Sequence, residues 1–165
     1  MTLTRAIATL FGLGYLRPAP GTWASLAALP LLWALHVLGG FAAVAVATVA
    51  VTAIGWWAVS VETRAGGPSD PPEIVVDELA GQWLALWPVS AGAMMSGAAA
   101  LDLWPGWIAG FVLFRAFDIL KPGPVGWADR RPGATGVMLD DLLAGAFAAA
   151  GTVALAALFH LWLMG

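Results

Sequence analysis

Seven ionisable residues in this chain have the types and spacing that phosphate chemistry needs. Five are carboxylates and two are cations: Asp77, Glu78, Asp118, Asp140, Asp141, Arg115 and Lys121. Carboxylate oxygens suit a hard cation such as Mg²⁺, which keeps several waters and bridges to phosphate oxygens. Arginine and lysine suit the phosphoryl oxygens themselves. Each short motif is weak alone, so their significance depends on whether the fold brings them together.

The acids occur as adjacent pairs at the edges of apolar segments. Asp77 and Glu78 directly precede the uncharged stretch 79–101, and Asp140 and Asp141 directly precede the uncharged stretch 142–165. Acidic residues at a helix N-terminus are favoured by the helix dipole, which is their simplest structural role. Adjacent carboxylates at such depth also repel each other unless they are protonated or balanced by a cation, and this favours metal binding.

Arg115, Asp118 and Lys121 are spaced three residues apart, which places them roughly along one face of a helix. Two structural roles compete with a functional one. Arg115 and Asp118 can form a simple ion pair at the membrane edge, and Lys121 can extend towards lipid headgroups. The spacing alone leaves both alternatives open.

A glycine-rich segment, FGLGYLRPAPGTWASL at 11–26, supplies a different kind of candidate. Gly21 and Thr22 stand just before a predicted helix, where free backbone N–H groups favour an anion such as phosphate. The competing interpretation is an ordinary turn whose N-cap is Thr22 or Ser25, and the segment alone favours that interpretation. The segment is not a P-loop, because it lacks the Gly-Lys-Ser/Thr ending.

The composition indicates which kind of element positions these residues. The chain is 61% hydrophobic and only 10% charged, whereas a soluble domain has about 25% charged residues. The uncharged stretches also reach the roughly 20 residues that a membrane span requires. We therefore predict an all-α fold, a polytopic membrane helical bundle formed by one domain over residues 1–165. No cysteine is present, which excludes disulfides, thiolate nucleophiles and cysteine-based zinc sites.

The predicted bundle has about five transmembrane helices and a short N-terminal interfacial helix at 3–11. Their approximate bounds are 24–38, 41–61, 73–96, 104–121 and 138–163, with a turn at Gly39-Gly40 and a kink at Pro88. With five spans, all lysines and arginines fall on one side, which the positive-inside rule makes cytoplasmic. The three charged segments, 5–17, 62–78 and 115–141, then meet at that surface, while His36 and His160 lie on the other.

Four motifs give the chain a resemblance to a known family. They are FG-x-G with PGT-x-x-SL at 11–26, D-x-x-x-IV-x-DE-x-x-G-x-W at 70–83, FR-x-x-D-x-x-KP-x-P at 114–124 and G-x-M-x-DD-x-x-AG at 136–145. In order and spacing they resemble the phosphatidylglycerophosphatase A family, integral membrane enzymes of bacterial phospholipid synthesis. The resemblance implies hydrolysis of phosphatidylglycerophosphate to phosphatidylglycerol, with Mg²⁺ as cofactor, at the cytoplasmic face of the bacterial inner membrane.

The resulting hypothesis assigns a role to each candidate residue. Mg²⁺ is held by Asp77, Glu78, Asp118, Asp140 and Asp141, and phosphate by Gly21, Thr22, Arg115 and Lys121. The catalytic residues are Asp141, as base or nucleophile, with Asp118, Arg115 and Lys121. The expected partners are the lipid substrate and the bilayer. No nucleic-acid partner is expected, and a homo-oligomer is compatible with the sequence.

Two other functions compete with this hypothesis. A membrane phosphotransferase acting on a nucleotide-activated lipid is disfavoured, because the D-G-x-x-A-R pattern expected there is missing. A small transporter would place ionisable groups near the bilayer midplane. Here the middle of every predicted span is uncharged, which favours chemistry at the membrane surface.

Overall fold

A computed structural model describes residues 1–64 and 71–164, and these residues form helices and turns without a β-strand. The helices are α1 (Leu3–Ala8), α2 (Pro20–Arg64), α3 (Val76–Ala85), α4 (Trp87–Ser96), α5 (Trp104–Leu120), α6 (Pro124–Asp129) and α7 (Ala134–Met164). Short 3₁₀ turns at Leu13–Tyr15 and Ala100–Leu103 precede α2 and α5. The predicted all-α class is confirmed.

Three helical segments in the described part of the chain are long and apolar enough to cross a membrane: Pro20–Arg64, Ala100–Leu120 and Ala134–Leu163. Their outward faces carry large hydrophobic side chains that are not covered by protein, such as Val46 and Leu158. A water-soluble domain seldom exposes so continuous an apolar surface, whereas a bilayer solvates it. These helices are those of a membrane protein.

The long helix α2 is broken where the sequence predicts a turn. Gly39 and Gly40 leave helical geometry, and Gly40 adopts a positive φ of 62°, which glycine tolerates best. The break divides α2 into two arms, which begin and end slightly outside the predicted bounds of 24–38 and 41–61. The count of about five spans stays a prediction.

The prediction of a single helix over 73–96 is wrong, whereas the distortion predicted at Pro88 is present, as a break just before this proline. The chain forms two ten-residue helices, α3 and α4, which are separated at Leu86. Pro88 explains the break, because it has no N–H to donate and its ring crowds the preceding turn of a continuous helix. At the start of α4 the missing donor costs nothing, since that turn has no intrahelical acceptor for it.

The remaining bounds differ by smaller amounts. Helix α5 ends one residue before the predicted 121, α7 begins four residues before the predicted 138, and α6 was not predicted. At the N-terminus, the helix predicted over 3–11 stops at Ala8, because Leu10 and Phe11 have positive φ and turn the chain back. Its placement at the membrane interface stays a prediction.

The short helix α3 is buried among the longer helices, and glycines let it approach them closely. An added Cβ on Gly81 would lie 2.6 Å from the backbone carbonyl oxygen of Asp141 in α7. Gly145 of α7 packs in turn against the carbonyl of Gly81. Two backbones in contact hold α3 and α7 at a fixed register, which brings the acid pairs of the two helices side by side.

Candidate active site

A cavity of about 360 Å³ opens where the N-terminus of α2, the start of α3, the end of α5 and the start of α7 meet. All nine residues that the sequence singles out line it: Gly21, Thr22, Asp77, Glu78, Arg115, Asp118, Lys121, Asp140 and Asp141. The structure thus brings together charged segments that are far apart in sequence. What each residue does there stays a prediction.

Three carboxylates of this cavity, which we call the inner acids, lie close together: Asp77, Glu78 and Asp141. Each can place one oxygen within 4.8 Å of the others. Asp77 and Asp141 are only 7% and 3% exposed. In the part of the chain that the structure describes, Asp77 Oδ1, Glu78 Oε2 and Asp141 Oδ2 are buried without a hydrogen-bond partner.

The inner acids fit a hard divalent cation. A buried carboxylate without a counter-charge is strongly unfavourable, so three together require an external positive charge or protonation. Every atom that the inner acids offer to a metal is a carboxylate oxygen, the ligand type that Mg²⁺ and Ca²⁺ prefer. The side-chain amide of Gln82, one turn beyond Glu78, is also buried and has no hydrogen-bond partner among the described residues. Gln82 was not singled out from the sequence, although an amide within an apolar stretch was a visible signal, and it is not among the residues that line the cavity.

Beside the inner acids, Arg115 and Asp118 form the first of two pairs that we call the rim pairs. Arg115 Nη1 lies 2.5 Å from Asp118 Oδ2 and donates to Ser25 Oγ at 3.4 Å. The ion pair that the spacing allows is therefore present, and it lies inside the cavity. Arg115 Nε remains buried with no partner among the described residues, so one guanidinium donor is left for a bound anion.

The second rim pair joins Lys121 to Asp140. Lys121 Nζ donates to Asp140 Oδ2 at 2.7 Å and also to Asp129 of α6. Burial lowers the pKa of Lys121, but the hydrogen bonds to Asp129 and Asp140 outweigh it and raise the pKa above its ordinary value. The ammonium group therefore stays charged and ties α5, α6 and α7 together, instead of extending alone towards headgroups.

The N-cap interpretation of Thr22 and Ser25 is wrong, because α2 begins at Pro20 and places both residues inside the helix. Ser25 Oγ donates back to the carbonyl oxygen of Gly21 at 2.9 Å. Gly21 is in direct contact with the Glu78 carboxylate, and an added Cβ there would also lie 3.3 Å from Arg115 Nη1. Its lack of a side chain lets these two groups reach the same point.

Two further charged residues line the cavity and were not assigned to the site from sequence: Asp129 and Arg131. Both belong to the third charged segment, which was the available signal, but α6 and the turn after it were not anticipated. Neither histidine lines the cavity; His36 pairs with Ser90, and His160 lies against the carbonyl of Ala156. Asp70, the first residue of the second motif, lies outside the described residues.

Comparison with known proteins decides the family. The model of the family described as phosphatidylglycerophosphatase A matches residues 6–157. The chain belongs to this family. Membership confirms the resemblance read from the four motifs, and it makes the protein a lipid phosphatase whose apolar helices suit a membrane.

Curated relatives cover most of the chain. A Haemophilus influenzae phosphatidylglycerophosphatase A is 36% identical over 144 residues, which are 86% of this chain and 82% of the relative. An Escherichia coli phosphatidylglycerophosphatase A is 33% identical over 144 residues, 87% and 77% of the two chains. A Bacteroides thetaiotaomicron protein, provisionally named a phosphatidylinositol-3-phosphatase, is 38% identical over 146 residues, 86% of each chain. No solved structure matches this chain.

Proposed function

We propose that this member of the phosphatidylglycerophosphatase A family hydrolyses phosphatidylglycerophosphate to phosphatidylglycerol and inorganic phosphate. The reaction depends on Mg²⁺ and takes place at the cytoplasmic surface of the bacterial inner membrane. One observation carries the proposal: the inner acids, with three unpartnered oxygens, share a cavity with two cations suited to phosphoryl oxygens. Family membership supplies the lipid phosphatase activity.

In this proposal the inner acids hold Mg²⁺. When bound, such an ion neutralises phosphate charge and lowers the pKa of a coordinated water. The other two acids predicted as ligands, Asp118 and Asp140, bind Arg115 and Lys121. We therefore assign Asp118 and Asp140 chiefly to holding those cations in place.

The protein's own side chains account for the remaining steps. Arg115 and Lys121 balance the charge on the phosphoryl oxygens, the main requirement of phosphoryl transfer. The first turn of α2, at Gly21 and Thr22, offers backbone N–H groups to the same phosphate. Asp141 takes a proton from the attacking water while the water oxygen bonds to phosphorus. The bond from phosphorus to the glycerol oxygen breaks, and that oxygen leaves as the alcohol by taking the proton that Asp141 has accepted.

The distribution of basic residues in the chain supports the proposed orientation of the site. Lys121, Arg130 and Arg131 lie between α5 and α7, and Arg5 lies beside the end of α2, where it pairs with Glu62. Basic residues concentrate on the cytoplasmic side of bacterial membrane proteins, which supports a cytoplasmic cavity. The acyl chains then remain among the apolar helices while the headgroup reaches the cavity.

The provisional name of the Bacteroides relative favours a second candidate substrate, phosphatidylinositol 3-phosphate. This lipid and phosphatidylglycerophosphate share one chemical pattern. Each carries a phosphate monoester on a polyol headgroup, and the headgroup is joined to diacylglycerol through a phosphodiester. Both lipids therefore belong in the test.

The test measures phosphate release from each lipid by purified protein in detergent, with Mg²⁺ and with excess EDTA. We expect Mg²⁺-dependent release, fastest from phosphatidylglycerophosphate. Release that survives EDTA would remove the metal from the mechanism, and faster release from the inositol lipid would change the substrate. Mg²⁺ should also raise the thermal midpoint of the wild type but not of Asp77→Asn, a readout that does not require turnover.

A further inference from the structure

Arg131 is a cation of the cavity that the proposed mechanism does not use. It follows α6 and lines the cavity, and it belongs to the exposed residues rather than to the buried floor. Its guanidinium carbon lies 4.2 Å from the ring centre of Trp127, which is itself 48% exposed. Stacking on an indole face holds a guanidinium in one plane while leaving its N–H groups directed outward.

The backbone beneath Arg131 is also fixed. Its N–H donates to the carbonyl oxygen of Ala128 at 2.8 Å, which closes the turn after α6. Its own carbonyl packs so closely against Gly136 that an added Cβ there would overlap it. The side chain therefore projects from a rigid point, and less conformational entropy is lost when it binds a ligand.

The other two cations lining the cavity are already engaged with carboxylates. Arg115 pairs with Asp118, and Lys121 pairs with both Asp129 and Asp140. Within residues 1–64 and 71–164, no carboxylate oxygen lies within 4.0 Å of the Arg131 guanidinium. Arg131 is thus a preorganised cation at the mouth of the cavity that is available to an anion from outside.

We propose that Arg131 binds the internal phosphodiester of the lipid substrate. This inference rests on the proposed function, in which the terminal monoester occupies the inner part of the cavity. The second phosphate lies one glycerol unit away on the side that leads back to the acyl chains. A fork of N–H donors at the cavity mouth matches its two free oxygens. Arg131 then selects lipids that carry both a diester and a terminal monoester.

The test compares Arg131→Gln with Arg130→Gln. Arg130 is an exposed neighbour of the same charge that does not line the cavity, so it is a matched control. We expect Arg131→Gln to raise KM for phosphatidylglycerophosphate about tenfold, the effect of losing one charge-assisted hydrogen bond at an exposed site. Its kcat should stay within about twofold, because the reacting phosphate is held elsewhere. Arg131→Lys, which keeps the charge but not the planar fork, should recover part of the loss.

Product inhibition separates the two phosphate positions. Glycerophosphoglycerol, the deacylated headgroup of phosphatidylglycerol, carries only the diester, whereas inorganic phosphate occupies only the monoester position. Arg131→Gln should weaken inhibition by glycerophosphoglycerol and leave inhibition by inorganic phosphate unchanged.

Each alternative outcome rejects a particular claim. If inorganic phosphate inhibits Arg131→Gln more weakly than the wild type, Arg131 lies at the monoester position and the assignment is overturned. Equal losses in Arg131→Gln and Arg130→Gln would reduce Arg131 to general attraction of an anionic lipid surface, which also overturns it. An unchanged KM in an active enzyme would reject only the role of Arg131. A wild type that releases no phosphate would instead reject the proposed function, and with it this inference.

Discussion

The inner acids and the rim pairs share one cavity but differ in how their charge is balanced. Asp77 and Asp141 are buried and Glu78 is half-buried, and each has one buried oxygen that finds no hydrogen-bond partner among the described residues. The carboxylates beside them, Asp118 and Asp140, are neutralised by Arg115 and Lys121. A paired carboxylate is satisfied within the protein, whereas an unpaired one needs a partner from outside. The comparison therefore separates residues that meet a ligand from residues that hold the site in shape.

The same difference has an energetic consequence. Burying a charge without a counter-ion costs several kcal/mol, and the described residues donate no hydrogen bond to one oxygen of each inner acid. Their presence lowers the stability of the protein without its ligand. In a rim pair each charge stabilises the other, and removing one partner leaves the second without a counter-ion. Substitutions in the two groups should therefore move activity and stability in different combinations.

The largest effect is expected at Asp141, an inner acid. Asp141→Asn keeps the shape of the side chain but removes a charge and the proposed base. We expect phosphate release to fall by at least about a thousandfold. Without divalent cations, the thermal midpoint should stay unchanged or rise, since repulsion among the buried carboxylates decreases. The two measurements are phosphate release in detergent and a thermal melt in EDTA.

Asp102→Asn is the matched control for this change. Asp102 is exposed in the 3₁₀ turn at the opposite end of α5 from Lys121. Both measurements should match the wild type in this variant. If Asp141→Asn keeps more than about a hundredth of the wild-type rate, Asp141 is not the base, because a lost general base costs about a hundredfold or more.

An intermediate effect is expected at Gly21, where the two groups of residues meet. In Gly21→Ala the new Cβ would overlap the Glu78 carboxylate and crowd Arg115 Nη1. One of them must shift, and displacement of a catalytic group by about 1 Å can cost roughly a hundredfold in rate. The free energy of unfolding should change little, since the higher helix propensity of alanine, worth up to about 1 kcal/mol, offsets the cost of this crowding.

Gly92→Ala is the control for Gly21→Ala. Gly92 also lies in a helix, and its added Cβ would meet only Leu103 Cδ1, at an ordinary 3.7 Å. Activity should therefore be preserved in this variant. Wild-type rates in Gly21→Ala would mean that Glu78 can move without consequence, which would remove it from the inner acids as a functional ligand.

The convergence of the candidate residues has a physical reason. Charged residues next to long apolar stretches are confined to the membrane surface, so distant segments must lie at one depth. Segments at one depth can meet only within that plane, and all nine candidate residues do line one cavity.

The pairing within the cavity could not be predicted in the same way. Which acid binds Lys121 and which stays unpaired depends on side-chain geometry set by contacts such as that between Gly81 and Gly145. The short helix α6 also arises from local backbone geometry, which the hydrophobic pattern does not record. Arg131 was missed with α6, because its role depends on the turn that this helix creates.

The smallest effect on rate, and the clearest effect on stability, is expected at the rim. Lys121→Met strands the Asp140 carboxylate, which is 5% exposed, while Asp129 is exposed and can turn to solvent. We expect the free energy of unfolding to fall by about 1–3 kcal/mol, the cost of a buried charge-bearing group without its partner. The rate of phosphate release should fall about ten- to hundredfold, because one cation near the phosphate is lost.

The double variant Lys121→Met/Asp140→Asn distinguishes holding the site in shape from binding the substrate. Removing the stranded charge should restore most of the stability, since the neutral amide no longer requires a counter-ion. The rate should stay low if Lys121 itself contacts the phosphate, and recover if the lysine serves only to neutralise Asp140. If Lys121→Met is as stable as the wild type, the Asp140 carboxylate does not depend on Lys121 as its counter-ion. In that case Asp140 would belong with the inner acids, and the division between the two groups would have to be redrawn.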